Sequence, residues 1–391
     1  MEQIRELAQK DAEYVRQLRR KLHAHPELAF HEFATTELIA QELTNCGLEV
    51  KTWEGKTGVL GILQGAKPGK VIALRADIDA LPLTEKSGLE FTSQNEGVCH
   101  ACGHDLHTSV LLGAVRVLSQ MREQLAGTIK FIFQPAEETL GGSQSMIERG
   151  VLTNPQVEAI FGLHTWPDLP EGTVGYKAGS FMASADSVDV KIIGRAGHAA
   201  HPHRSIDPVV AAAAVVQGVQ SFISREIAPI DSAVITFGSI HGGTVRNIIA
   251  GDVTLAGTIR CASKEVRDNM PGMLERMIQN TAAAYRCTAE INYQAGNPPV
   301  VNDEKLTNVV TEAAQKILGA EKVKPLASMS MGSEDFAWYM EQVPGCVYRL
   351  GTHTEEAQSH LALHNPEIRF GEKALLTGVE VMSSVALEYL K

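Results

Sequence analysis

No stretch of the sequence stays apolar over the roughly 20 residues that a membrane-spanning helix requires, so membrane insertion is set aside as a function class. No secretory leader is expected either. Residues 1–22 space Ile4, Leu7, Val15 and Leu18 among charges, the pattern of an amphipathic surface helix, and a cytoplasmic protein is expected. Basic residues are in deficit: 35 Lys and Arg stand against 46 Asp and Glu, for a formal charge of -11, with no basic run to offset it. Such a balance disfavours phosphate backbones, and no nucleic-acid partner is expected. The six cysteines, Cys46, Cys99, Cys102, Cys261, Cys287 and Cys346, are too scattered for the framework of a small disulfide-rich domain, so reduced thiols are expected. Low-complexity tracts and short repeats are lacking too, which excludes a solenoid.

What the chain does have is length and core material. With 391 residues, 44% of them hydrophobic, it can bury a large core, and two domains are more natural than one. The first half alternates helix and strand: helices at 1–22, 32–46 and 108–118, strands at 48–53, 59–63, 71–74, 128–133 and 159–163. Several strands are apolar on both faces, which suits a sheet covered by helices. The middle changes rhythm. A strand at 187–193, a helix at 206–223, strands at 233–237 and 253–260, a helix at 265–285 interrupted early by Pro271-Gly272, and a strand at 289–293 give the order βαββαβ, the ferredoxin-like split motif. A domain of residues 185–298, inserted into one formed by 1–184 and 299–391, is the expected organisation. The chain then supplies a helix at 305–318, a helix starting at Ser333-Glu334-Asp335 and running through Met340, a strand at 346–350, and a helix at 372–390.

The chemistry is concentrated in Cys99-His100-Ala101-Cys102-Gly103-His104-Asp105-Leu106-His107. Thiolate, imidazole and carboxylate donors together suit zinc or a neighbouring transition ion better than calcium or magnesium. A Cys99-x-x-Cys102 redox pair is the alternative. Three strands also finish in reactive groups: 71–74 runs into Asp77 and Asp79, 128–133 into Glu137 and Glu138, and 159–163 into His164. In open α/β sheets ligands bind beyond the carboxyl ends of the strands, so these segments are expected to meet the Cys102/His104 loop, provided no strand among them runs antiparallel.

Those motifs occur in one order with Arg75-Ala76-Asp77-Ile78-Asp79, Gly197-His198-Ala199, Gly332-Ser333-Glu334-Asp335-Phe336 and Leu363-His364-Asn365-Pro366. Together they resemble the M20 metallopeptidase family, in its amidohydrolase branch of N-acyl-amino-acid, hippurate and auxin-conjugate hydrolases. The resemblance implies an α/β catalytic domain, a mixed sheet covered by helices, with the inserted domain acting in lid and dimer contacts. It implies two divalent ions per chain (Zn, Mn, Co or Ni) held by Cys102, His104, Glu138, His164 and His364. Asp77 and Asp79 would steady that set, with Asp105 a weaker candidate for the same role. Glu137 is the implied general base and His198 the oxyanion donor, while Asn247 and Arg260 would bind substrate. His23, His25, His31, His100, His241, His353 and His360 receive no ligand role.

The implied reaction is hydrolysis of N-acyl amino acids to a carboxylic acid and a free amino acid by a homodimer or higher homo-oligomer. A dipeptidase or carboxypeptidase and an N-acetyl-diaminopimelate deacetylase are rivals within the family. A non-catalytic metal-binding or assembly protein, or a redox protein using Cys99 and Cys102, are rivals outside it. Cys99 departs from the methionine expected at its position in most relatives.

Overall fold

A computed structural model describes residues 1–391. The chain forms two compact units, Met1–Gly179 with Val301–Ser328 and Trp338–Lys391, and Ser180–Val300 with Met329–Ala337. In the larger, an eight-stranded mixed sheet has the spatial order Glu49–Lys51, Val59–Gln64, Ala126–Gln134, Lys67–Asp77, Ala159–Pro170, Gly345–His353, Val174–Tyr176 and Val323–Pro325. The four central strands, from Ala126–Gln134 to Gly345–His353, run parallel to one another. Their sequence explains why. Ile72, Ala73 and Leu74, Ile129, Phe131, Ile132 and Phe133, and Ala159, Ile160 and Phe161 are all fully buried. Successive side chains on a strand face opposite ways, so runs of this kind need cover on both faces.

The cover comes from helices with matching patterns. Glu2–Ala24 buries Ile4, Ala8, Asp11, Val15, Leu18 and Leu22, alternating steps of four and three that draw one stripe along a helix. His104–Gln120 is buried around nearly its whole circumference, and it packs against both Glu2–Ala24 and Lys373–Tyr389. Each fully buried Leu, Ile or Phe contributes about 1.5–3 kcal/mol relative to exposure, so this layer anchors everything at its ends.

In the smaller unit the sheet order is Ala233–Gly242, Asp252–Cys261, Ala185–Ile193 and Thr288–Asn297, with every pairing antiparallel. Helices Pro208–Glu226 and Lys264–Ala284 complete the βαββαβ unit. Val188, Val190 and Ile192 are buried while Ser187 and Asp189 are exposed, the alternation of a sheet with one covered face. Both helices start at side-chain caps: Asp207 accepts the Val209 N–H ahead of Pro208, and Ser263 accepts the Val266 N–H.

Three local expectations change. Pro271 lies inside an unbroken helix rather than interrupting one, because Met270, Leu274, Ile278 and Ala282 form a buried stripe on both sides of it. Continuous packing there outweighs a proline penalty of about 3 kcal/mol. The helix expected from Ser333 shrinks to Ala337–Met340, since the Glu334 carboxylate takes the Phe336 N–H at 3.1 Å and competes with helix formation. The helix expected from 108 begins at His104, which sets that imidazole on a helix terminus. No helix is long and apolar enough to cross a membrane.

Candidate metal centre

The strands Ala126–Gln134, Lys67–Asp77 and Ala159–Pro170 are parallel neighbours; Asp77 ends one of them, Asp79 and Glu137–Glu138 lie in the turns just beyond, and His164 stands midway along Ala159–Pro170. The first residues of His104–Gln120 join them. Gly103 makes that entry possible: its φ is +87°, and a Cβ there would stand 2.7 Å from Thr165 Oγ1. Both the backbone angle and the space exclude other residues. His364 arrives from a distant loop, itself at φ +66° and fixed by donating its N–H to the Ala101 carbonyl at 3.0 Å.

Donor atoms of Cys102, His104 and His164 all lie within 4.8 Å of one another, and so do those of Cys102, Glu138 and His364. Cys102 therefore belongs to two adjacent triplets, each able to hold an ion. A third group within the same limit joins His104, Glu137 and Glu138. The Cys102 Sγ is 3.6 Å from His164 Nε2, and Glu138 Oε1 is 3.8 Å from His104 Nε2 and 3.4 Å from His364 Nε2. His104 is fully buried, whereas the His364 side chain is 53% exposed, so the cluster has a dry floor and an open rim.

Hydrogen bonds aim these donors. His104 Nδ1 faces the Asp79 carbonyl at 2.9 Å and its Oδ1 at 3.2 Å, which turns Nε2 into the cluster. His164 Nδ1 donates to the Thr165 carbonyl at 2.8 Å, with the same effect. Asp79 also accepts the Glu138 N–H through Oδ2 at 3.0 Å, so one carboxylate orients two of the donors. Asp77 is held by Arg75 at 2.7 Å and by His107 at 2.5 Å. The Nε2 atom of His107 accepts the Thr165 N–H at 2.9 Å, so its Nδ1 carries the proton shared with Asp77. Both ring nitrogens of His107 are committed, and it is a support although it sits near His104 and Asp77. Thr165 closes the network by donating Oγ1 to the Cys102 carbonyl at 2.7 Å.

A metal fits this donor set. His104 Nε2 and Glu138 Oε1 are buried without a hydrogen-bond partner, a costly condition that a coordinated cation relieves. The electrostatics agree. The Cys102 thiol and Glu138 carboxylate beside it push His364 up to about 10, against burial. Burial opposes charge on His104 too, yet Asp77, Cys102 and Asp79 hold it well above the usual histidine range. Burial, reinforced by the neighbouring His107 and Arg349, holds His164 well below it, as suits a neutral ligand. Burial would raise Asp77, but His104, His107 and Arg75 keep it ionised.

Asp105 faces elsewhere. Its Oδ2 takes Arg19 Nε at 2.7 Å and His23 Nδ1 at 2.8 Å, while His23 Nε2 reaches Glu85 at 3.0 Å. This buried ionic cluster pins the metal-site helix to the first helix, and the partners of His23 make it structural, in keeping with the expectation that it is no ligand. Cys99 is buried, its thiol pushed up to about 12 by burial, and forms no disulfide. A thiol of that kind is inert, which removes the support for the redox reading. On the smaller unit, His198 pairs with Ile248 in a two-residue ladder, and Ala199 donates to the Asn247 carbonyl at 3.0 Å, so His198 and Asn247 are neighbours. Arg260 lies on Asp252–Cys261, donating to Thr258 Oγ1 at 2.6 Å.

Residues 73–388 match the model of peptidase family M20/M25/M40. The chain belongs to that family. Among curated relatives of this M20 hydrolase, an N-acetylcysteine deacetylase of Bacillus subtilis (strain 168) is 41% identical over 376 residues, covering 96% of each chain. An IAA-amino acid hydrolase ILR1-like 2 of Arabidopsis thaliana is 39% identical over 96% of this chain and 84% of its own. A solved Bacillus subtilis structure described as a dinuclear metal binding peptidase from the M20 family superposes with a TM-score of 0.86 at 37% identity, covering 98% of this chain and 99% of the other. The chain is a metal-dependent hydrolase of C–N bonds, of the amidohydrolase kind.

Proposed function

We propose that this M20 hydrolase cleaves the amide bond of N-acyl amino acids with two divalent ions held by Cys102, His104, Glu138, His164 and His364. The observation that carries the reading is the sharing of Cys102 by two donor triplets, with Glu137 beside them. Relatives that act on N-acetylcysteine and on IAA-amino acids support the substrate class. Bound ions would polarise the acyl carbonyl and acidify a water. Glu137, buried at the end of a core strand, takes the proton of the attacking water and returns it to the leaving amine nitrogen. Asp79 keeps His104 and Glu138 in register throughout, and Asp77 does the same through His107 and Thr165. His198 is assigned as oxyanion donor: it is exposed, and its Nδ1 accepts the Ala200 N–H, leaving Nε2 to donate. Asn247 and Arg260 are assigned to the substrate carboxylate. The Ala233–Gly242 edge strand, with Val234 and Ile240 exposed, is the proposed dimer contact.

The test is release of free amino acid from acetyl, benzoyl, indoleacetyl and succinyl amino acids, with zinc, manganese, cobalt or nickel added. Turnover of at least one N-acyl amino acid is expected. Cleavage of dipeptides alone would replace the reading with the dipeptidase one, and inertness toward both classes with every metal would end it.

A further inference from the structure

The loop that carries Glu137 and Glu138 is gripped by a carboxylate that no step above employs. Glu32 is fully buried, and its Oε1 accepts the Ala136 N–H at 2.8 Å. Ala136 is itself fully buried with φ +54°, the left-handed region. An alanine holds that conformation only under constraint. Its other side is constrained as well: the Ala136 carbonyl accepts the Gly142 N–H at 3.2 Å. Gly142 lies so close to the loop that a Cβ would fall 1.6 Å from the Pro135 carbonyl oxygen.

Glu32 has a firm mount of its own. It is the residue before Phe33–Asn45, its carbonyl takes the Thr36 N–H at 2.9 Å, and upstream Glu27 accepts the Ala80 and Thr35 N–H groups at 2.9 and 2.8 Å. The consequence lies one residue beyond Ala136. A backbone turn of this hand sets the direction in which the Glu137 side chain leaves the chain. Glu138 has a separate anchor in Asp79, so releasing Ala136 disturbs Glu137 first.

We propose that Glu32 is a positioning residue for the hydrolysis: by holding Ala136 in the left-handed turn, its buried carboxylate aims Glu137 at the attacking water. The inference rests on Glu137 being the base. Glu32 belongs to none of the groups that could hold an ion, so its removal is expected to lower kcat while KM and metal content stay close to wild type. Misaiming a reacting group by about an ångström costs on the order of 100-fold in rate, and that is the loss expected of Glu32→Leu.

Three variants decide it, each assayed as metal-loaded full chain for kcat, KM and metal content. Glu32→Gln keeps an oxygen at the same reach for the Ala136 N–H and is expected to stay within about fivefold of wild-type kcat, on the scale of one neutral hydrogen bond. Glu32→Asp keeps the carboxyl group but is one methylene too short, and is expected to fall at least about tenfold, toward the full misaiming loss. Glu32→Leu shows the largest loss; should it not fold, the Gln and Asp pair still decides. The proposal is overturned if Glu32→Asp outperforms Glu32→Gln, if Glu32→Leu keeps wild-type kcat, or if the loss tracks loss of metal. Glu137→Gln separates the two readings: activity in that variant sinks the assignment of the base, whereas an inactive Glu137→Gln beside a fully active Glu32→Leu sinks the positioning role alone.

Discussion

Gly103→Ala tests whether the turn into the metal-site helix is built as tightly as the geometry states, and Gly97→Ala supplies its control. Both glycines have left-handed φ, +87° and +77°, but a Cβ at 97 meets no atom within 4 Å, whereas one at 103 stands 2.7 Å from Thr165 Oγ1 and 2.9 Å from its Cγ2. The backbone penalty of about 1–2 kcal/mol is common to the two. It is offset in both by roughly 0.4–1 kcal/mol from a stiffer unfolded chain. Gly103→Ala adds overpacking of about 1–3 kcal/mol. It also strains the Thr165–Cys102 hydrogen bond of 2.7 Å, worth a further 0.5–1.5 kcal/mol or so. The difference between the variants is therefore about 1.5–4.5 kcal/mol in urea unfolding of chelator-treated protein. Since Thr165 also receives the His164 Nδ1–H, metal affinity should fall about 10–100-fold for Gly103→Ala and stay unchanged for Gly97→Ala, measured against a competing chelator. Equal losses in both properties for the two variants would refute the crowding argument.

Metal affinity should rise with pH, because His364, pushed up to about 10, and His104, also raised, must give up protons to coordinate; calorimetry in two buffers should record proton release, and pH-independent binding would contradict the assignment. Glu85 is brought down to about 2: burial opposes this, but His23, Ser87 and the Ser93 N–H outweigh it. Its contribution, about 1–2 kcal/mol after allowance for solvent screening, is present above the unfolded pKa of about 4.5 and lost as pH falls toward 2. Glu85→Gln should accordingly be less stable than wild type at pH 7 and converge with it in acid, and a gap that persists at pH 2 would refute this. Cys99→Ser should leave peroxide sensitivity unchanged, as the buried thiol is held near 12; a protected variant would revive the redox role.

The central strands were legible because their apolar runs face two ways, and the convergence of Asp79, Glu138 and His164 followed once those strands proved parallel. Pro271 misled because local propensity says nothing of the buried stripe that carries the helix past it. His107 carried a readable signal, three residues after His104 on one helix face, yet its role depends on Thr165 from a strand distant in sequence. Thr165 had no signal of its own: its hydroxyl matters only because the Gly103 turn comes to lie against it. Glu32 was invisible for the same reason, since its contact with Ala136 spans 104 residues of chain. Motifs mark the donors, whereas the groups that aim them are fixed by tertiary packing.

The central claim is that Glu137 turns a metal-binding cluster into a hydrolase. Free amino acid released by Glu137→Gln, compared with wild type at equal metal content on the best N-acyl amino acid, tests it most directly. The account predicts a full complement of metal and a rate lower by about 100-fold to 10,000-fold, the range of a positioned general base. A variant that binds metal and turns over within about tenfold of wild type would contradict it.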